Sequence, residues 1–315
     1  MLTRRHIRVK VMQCIYALVQ AKDGNLEEQQ KFLKGSMENM YSLYLLMLAL
    51  LVELQAYAQE QLELGSKKYL NEGGANYPDP ARFAHNALLQ QLTQNGRLKE
   101  DVEKRKLNNW YLHEDYIKII YKEILTHKAF EAYMAKETTD YDTDKALVVQ
   151  LFKEVIAPNE KIYEHFEDDK LTWVDDIPIV NTFLLKRLKQ VKEEHPESYF
   201  LPKLLKDTAD MTYAKDLMAK TLLKDAELTK EFEAKTPNWD KDRIAEIDAI
   251  LLKMAICELL YFPSIPEKVT LNEYLEVAKE YSTPKSSIFI NGVLDKLVKE
   301  YKTNGKMKKM GRGLL

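Results

Sequence analysis

The stretch of residues 247–259, IDAILLKMAICEL, decides the fold. Its apolar side chains lie on nearly all sides of a helix, and a helix of that kind has to be surrounded by other elements. Asp240 is a good N-cap residue for this helix, and Trp239 before it can pack on Ile244 as a hydrophobic staple. Residues 241–261 are therefore predicted to form the central, buried helix.

Helical spacing of apolar residues recurs along the rest of the chain, whereas strand-like alternation is nearly absent. The 315 residues include only 10 glycines and 10 prolines, so few positions interrupt the helices. These features predict an all-α protein with breaks at 71–80 and 140–144. A first helix is predicted over 4–21, after an N-cap at Thr3, and a late helix is predicted to begin with the capping box Thr270–Glu273 and to run to about 281. The other predicted helices are 26–70, one or more in 81–135, 145–166, 176–193, one or two in 203–234, and a last one from about 284 to 301.

Composition indicates a cytoplasmic protein that does not cross a membrane. The most apolar segment, 40–52, is too short for a bilayer span of about 20 residues, so a buried core helix is expected there. No leader peptide is recognised at the start of the chain. The two cysteines, Cys14 and Cys257, lie in apolar helical patterns and are predicted to be reduced core thiols.

Nothing in the sequence supports an enzyme. Glycine-rich phosphate loops, the zinc motif HExxH and the nucleophile motif GxSxG are missing, and the six histidines show no ligand spacing. We therefore predict no catalytic residue, no metal site and no cofactor.

Basic charge is concentrated at the two ends of the chain. The formal net charge is −2, but residues 1–34 carry +4 and residues 296–315 carry +6. Arg4, Arg5, Arg8 and Lys10 open the first helix, where cations oppose the helix dipole. A solvated helix face is the simpler explanation. However, the electrostatic cost of placing cations at the start of a helix favours a functional explanation for them. Arginine is suited to such a function because its planar guanidinium binds phosphate through two donors.

The last predicted helix offers a second candidate contact for a nucleic acid. Phe289 and Asn291 lie on opposite sides of its apolar stripe, so Phe289 can stack on a base or else pack on a neighbouring helix. Gly292, in the middle of this helix, costs about 1 kcal/mol relative to alanine. Either a close helix contact or a ligand would explain it.

Four segments together resemble the NusB family. Arg4-Arg5-His-Ile-Arg8 followed by Gln13-Cys-Ile-Tyr16 is similar to the family's opening helix, and residues 247–259 are similar to its central helix. Residues 265–279, IPEKVTLNEYLEVAK, resemble the next helix, and residues 289–296, FINGVLDK, resemble the family's F-V-N-G-V-L-D-K ending.

The resemblance implies a NusB-like helical bundle core and a transcription antitermination factor. Such proteins bind boxA RNA of ribosomal RNA leader transcripts together with NusE, a small-subunit ribosomal protein, and act in an antitermination complex with RNA polymerase. The same resemblance assigns residue roles by matching position. It implies RNA contacts for Arg4, Arg5 and Arg8, positions near the RNA for Phe289 and Asn291, and a partner contact for Asp248. We add Lys10 of the basic cluster to the predicted RNA contacts and Tyr16 of the first helix to the predicted partner contacts. Where many relatives have a further arginine this chain has His6, and Lys285 stands at a position that is acidic in some relatives.

The resemblance leaves a long middle part of the chain unmatched. We expect residues 1–34 and 203–301 to form the RNA-binding core, 35–202 to be a helical insertion of unassigned role, and 302–315 to be a basic flexible tail. Two alternatives stay open: a NusB-like scaffold for protein interactions, and a module associated with ribosomal RNA modification.

Overall fold

The computed structural model describes residues 1–21, 25–68, 79, 81–107, 109–236 and 244–314. These residues form fifteen α-helices with short 3-10 and π segments, and they include no strand, which confirms the all-α class. The helices are α1 Arg4–Ala21, α2 Leu26–Lys68, α3 Ala87–Thr93, α4 Gly96–Lys104, α5 Asn109–Leu112, α6 Glu114–Leu125, α7 Lys128–Met134, α8 Tyr141–Leu151, α9 Glu160–Asp169, α10 Asp176–Gln190, α11 Thr208–Leu223, α12 Asp225–Glu233, α13 Glu246–Tyr261, α14 Glu267–Tyr281 and α15 Ser286–Thr303.

The chain divides into two compact units. The terminal unit comprises Met1–Met37 and Leu204–Leu315, and the middle unit comprises Glu38–Lys203. The terminal unit therefore holds α1, the first part of α2, and α11 to α15. The middle unit holds the rest of α2 and the helices up to α10.

Helix α13 is the centre of the terminal unit, as its sequence predicts. It packs against α1, α11, α12, α14 and α15, and its residues from Ile250 to Leu252 and from Met254 to Leu259 are buried. Cys14 on α1 and Cys257 on α13 are free, buried thiols, and burial raises the pKa of each to about 12. The prediction of reduced core thiols is confirmed. The predicted cap and staple residues Asp240 and Trp239 lie outside the described residues.

Two buried tryptophans of the middle unit bind the part of α2 that belongs to the same unit. The indole Nε1 of Trp110 donates to the carbonyl oxygen of Leu46 at 2.8 Å, and that of Trp173 donates to the carbonyl oxygen of Asn39 at 2.9 Å. Both indoles thereby bury their aromatic surface without leaving a donor unpaired.

By length and composition the part of α2 over Leu26–Leu64 could cross a membrane, but 72% of its most apolar stretch is buried inside the protein. This agrees with the buried core helix expected at 40–52.

Several predicted boundaries differ from the observed ones. The single helix expected over 145–166 is interrupted, because a π-helical segment follows α8 and Asn159 then caps α9 through its side chain at the nitrogen of Ile162. In the expected break at 140–144, Asp140 caps α8, which already begins at Tyr141. Of the predicted loop 71–80, the structure describes only Asp79.

Part of the predicted tail at 302–315 contacts the end of α13. The Lys309 ammonium donates to the carbonyl oxygens of Glu258 and Phe262 at 3.3 and 3.2 Å, and Met310 N–H donates to the Pro263 carbonyl at 3.0 Å. The last carbonyls of a helix have no partner within the helix and carry partial negative charge, so they attract a cation. The end of α13 thus binds Lys309 and Met310 of this basic segment, and the flexibility expected of 302–315 stays a prediction.

Candidate functional site

The beginning of α1 presents two arginines to solvent. The amide of His6 donates to the Thr3 hydroxyl at 3.5 Å, which confirms Thr3 as the N-cap. The side chains of Arg4 and Arg5 are each 43% exposed. Both are paired with carboxylates of other helices: Arg4 with Asp210 of α11 at 3.1 Å, and Arg5 with Glu273 of α14.

Arg8 is in a different environment, because it is only 2% exposed. Its Nε and one terminal nitrogen donate to both carboxylate oxygens of Glu258 on α13, at 2.9 and 2.7 Å. Glu258 is fully buried and also accepts from the hydroxyls of Tyr213, Thr270 and Tyr274. This is a satisfied internal ion pair, so the expectation that Arg8 contacts RNA is corrected.

The buried pair shifts the pKa values of its members in consistent directions. Burial by itself would lower the pKa of Arg8, but the Glu258 carboxylate outweighs it and raises that pKa above its ordinary value. Burial and the same carboxylate raise the pKa of Tyr213 and of Tyr274. Arg8 therefore stays charged and the two phenols stay neutral, which is the state in which each donates to Glu258.

Lys10 is also buried, at 2% exposure, although it was expected to contact RNA. In the middle of α1, every residue from Ile7 to Met12 is buried. Helical periodicity predicted the stripe of Ile7, Val11 and Ile15 but not this complete burial. Of the four basic residues in the cluster, only Arg4 and Arg5 are available at the surface.

The Glu273 carboxylate interacts with two arginines and does not form a capping box at the start of α14. Its oxygens accept from the Nε and one terminal nitrogen of Arg5 at 2.9 Å each, and it lies 3.7 Å from a terminal nitrogen of Arg8. The hydrogen bond with Arg5 lowers the pKa of Glu273 and raises that of Arg5. The capping box predicted for Thr270 and Glu273 is wrong, because α14 already begins at Glu267 and both side chains are engaged elsewhere.

The two residues predicted to contact a partner protein differ in exposure: Asp248 is buried and Tyr16 is exposed. Asp248 is buried and accepts from the hydroxyls of Ser282 and Ser286 at 2.6 and 2.7 Å, at the junction between α14 and α15. This contradicts the expectation that Asp248 offers its carboxylate to a partner. Tyr16 is 38% exposed on α1, so its partner contact stays a prediction.

Helix α15 places its predicted site residues beside an open surface. Phe289 is half-buried, and Asn291 is half-buried and donates to Asp295 at 3.3 Å. Their neighbour Ile288 is 75% exposed, a feature that the sequence did not single out. A Cβ built at Gly292 meets no atom of a neighbouring element within 4 Å, which excludes a close helix contact as the reason for this glycine.

Helix α14 lies between the two groups of candidate residues. It packs against α1, which carries Arg4 and Arg5, and against α15, which carries Phe289 and Asn291. The electrostatic cost of the arginines at the start of α1 is offset by the carboxylates of Asp210, Glu273 and Glu258, so no ligand is needed to explain their placement.

Among the described residues, no three histidine, cysteine or acidic side chains are grouped in a way that could hold a metal ion.

Comparisons with known proteins point to one family. Residues 180–299 match the model of the NusB family. The transcription antitermination protein NusB of Salinibacter ruber is 41% identical over 109 residues, 35% of this chain and 68% of that protein. The NusB proteins of Chloroherpeton thalassium and Geotalea daltonii are 50% identical over 78 residues and 35% identical over 116 residues. Those alignments span 25% and 37% of this chain, and 37% and 77% of the two relatives. No solved structure matches.

Proposed function

The chain belongs to the NusB family of transcription antitermination proteins, and we propose that it binds boxA-type single-stranded RNA of ribosomal RNA leader transcripts together with NusE. NusB proteins are cytoplasmic RNA-binding factors, not enzymes. The observation that carries the proposal is the match over 180–299, which includes all of α11 to α14 and most of α15. The match begins after α1, so the role of Arg4 and Arg5 is supported by their exposure and by the resemblance of the first helix.

In the proposed complex the terminal unit carries the RNA. Arg4 and Arg5 bind backbone phosphates, Phe289 stacks on a base, and Asn291 hydrogen-bonds nearby. Arg8 ties the first helix to α13 through Glu258, and Arg8 and Lys10 are both buried away from the RNA. Tyr16, with the exposed Val19 one turn later, is the proposed contact for NusE. The middle unit is a helical insertion that contributes no principal part of the RNA surface.

A titration with a boxA-containing RNA tests this function. We expect tighter binding to boxA than to a scrambled RNA of equal length, and tighter binding still when NusE is present. The logarithm of the RNA affinity is expected to fall linearly with the logarithm of the salt concentration, with a slope of about −0.7 for each phosphate that a basic side chain contacts. Equal affinity for both RNAs and a salt slope near zero would contradict the proposal, and binding that is unchanged by NusE would remove NusE from it.

Gly292 gives a test that separates RNA contact from stability. Gly292→Ala should raise the free energy of unfolding by about 0.5–1 kcal/mol, because alanine is the better helix former and the added methyl group meets open space. If RNA passes close to the α15 backbone, the same methyl group should weaken RNA binding by about threefold or more, roughly 0.6 kcal/mol.

The matched control is Gly35→Ala. Gly35 is also a helical glycine of the terminal unit, on α2, and a Cβ there also meets nothing within 4 Å. It should stabilise the protein and leave RNA affinity unchanged. If Gly292→Ala also left RNA affinity unchanged, RNA would not approach this face of α15.

A further inference from the structure

One of the two exposed arginines of α1 binds a carboxylate of its own chain through two donors at once. Arg5 donates through Nε and one terminal nitrogen, at 2.9 Å each, to the two different oxygens of the Glu273 carboxylate. This is the two-pronged geometry in which a guanidinium binds a carboxylate or a phosphate. One edge of the guanidinium can hold only one such anion at a time.

We propose that Glu273 is an intramolecular competitor for RNA phosphate at Arg5, and that it thereby sets the RNA affinity of the site. The inference rests on the proposed function and names a residue that controls it. A phosphate that takes the same edge of Arg5 must displace Glu273, so part of the gain from the phosphate contact is lost in breaking the existing pair.

The surroundings of Glu273 make this exchange reversible. Glu273 is 21% exposed, and it lies 3.7 Å from a terminal nitrogen of Arg8, whose other donors are held by Glu258. After displacement the carboxylate still faces the cation of Arg8 and water. It is therefore not stranded as an unpaired buried charge, which would make its displacement far more costly.

Arg4 provides the contrast within the same turn of α1. It donates to Asp210 through Nε at 3.1 Å, and within the described part of the chain its terminal nitrogens make no hydrogen bond. Its guanidinium also lies over the ring of Tyr213, 4.9 Å from the ring centre. Arg4 can therefore accept a phosphate at its outer edge without releasing its carboxylate, whereas Arg5 cannot use the edge that Glu273 occupies.

The test compares Glu273→Gln with Glu276→Gln in the RNA titration. Both substitutions remove one negative charge from α14, but Glu276 pairs with Lys279 at 2.6 Å and does not occupy the edge of Arg5. Glu273→Gln should tighten binding about threefold to fivefold, the range of an exposed ion pair. Its salt slope should steepen by up to about 0.7, because the wild-type carboxylate takes up a cation when it is displaced. Glu276→Gln should change affinity by less than about 1.5-fold, since the Glu276 charge acts on Arg5 without pairing with it.

A second comparison isolates Arg5. Arg5→Gln should weaken RNA binding more in the Glu273→Gln background than in the wild-type background, because the competitor is then missing. Equal losses in both backgrounds, an unchanged affinity of Glu273→Gln, or an equal gain from Glu276→Gln would each overturn the inference. Absence of RNA binding by the wild-type protein would contradict the proposed function instead. Circular dichroism checks folding, and Glu273→Ser replaces Glu273→Gln if that variant is unfolded.

Discussion

Glu258→Gln is expected to lower the free energy of unfolding by about 3–5 kcal/mol, because it leaves the buried Arg8 cation without its counter-charge. The pair is enclosed: Arg8 is 2% exposed, Glu258 is fully buried, and three hydroxyl groups complete the hydrogen bonding of the carboxylate. Glutamine keeps the size of the side chain but has one acceptor oxygen instead of two. The measurement is urea unfolding followed by circular dichroism.

Two further variants make this prediction specific. Arg8→Met should be destabilising to a similar degree, whereas the double variant Arg8→Met/Glu258→Leu should lose less than either single variant, because no charge stays buried alone. Glu276→Gln, at an exposed pair with Lys279, should change the free energy of unfolding by no more than about 1 kcal/mol. A loss below about 1 kcal/mol for Glu258→Gln would show that water reaches the pair and that Arg8 is not locked in the core.

The central helix of the terminal unit could be predicted from sequence because its signal is local. An apolar stretch without a polar face has to be buried whatever packs on it, and α13 is surrounded by five helices. The bounds of α1 were also predictable, since Thr3 caps its first turn and a regular apolar pattern follows. Both cases depend on residues within a few positions of each other.

The burial of Arg8 could not be predicted from α1, because its cause lies 250 residues away in sequence. On a helical wheel Arg8 shares a face with Arg4, and the two look equivalent. One signal was present: Glu258 is an acid in an almost entirely apolar helix, and a buried acid needs a cationic partner. The candidates for that partner were the basic residues at the start of α1, where the helix dipole disfavours positive charge.

Glu273 was misassigned because of its tertiary partners, and the segment after α15 also makes tertiary contacts that its sequence does not indicate. The spacing of Thr270 and Glu273 fits a capping box, but the tertiary partners Glu258 and Arg5 bind these side chains instead. The basic segment after α15 looks unstructured in sequence, yet the carbonyls at the end of α13 hold Lys309. In each case a contact between distant segments overrides a valid local pattern.

The structure therefore reduces the proposed cationic contribution of α1 to two residues. Arg4 and Arg5 stand at the surface with their carboxylate partners, next to a helix that also packs on α15. Removing both charges should have the largest effect on RNA binding of any substitution considered. A charge-assisted hydrogen bond to a phosphate contributes about 1.5–3 kcal/mol, and at Arg5 the cost of breaking the ion pair with Glu273, about 0–1 kcal/mol, is subtracted from it.

The most direct test of the account is the RNA affinity of Arg4→Gln/Arg5→Gln at about 0.15 M salt, where charges beyond about 8 Å are screened. The control is Arg97→Gln/Lys99→Gln, which removes two exposed cations from the middle unit. We predict that the first variant binds boxA RNA about thirtyfold more weakly than wild type, roughly 2 kcal/mol, while the control stays within about twofold. Wild-type affinity of the first variant, or an equal loss in the control, would contradict the placement of the RNA site on the terminal unit.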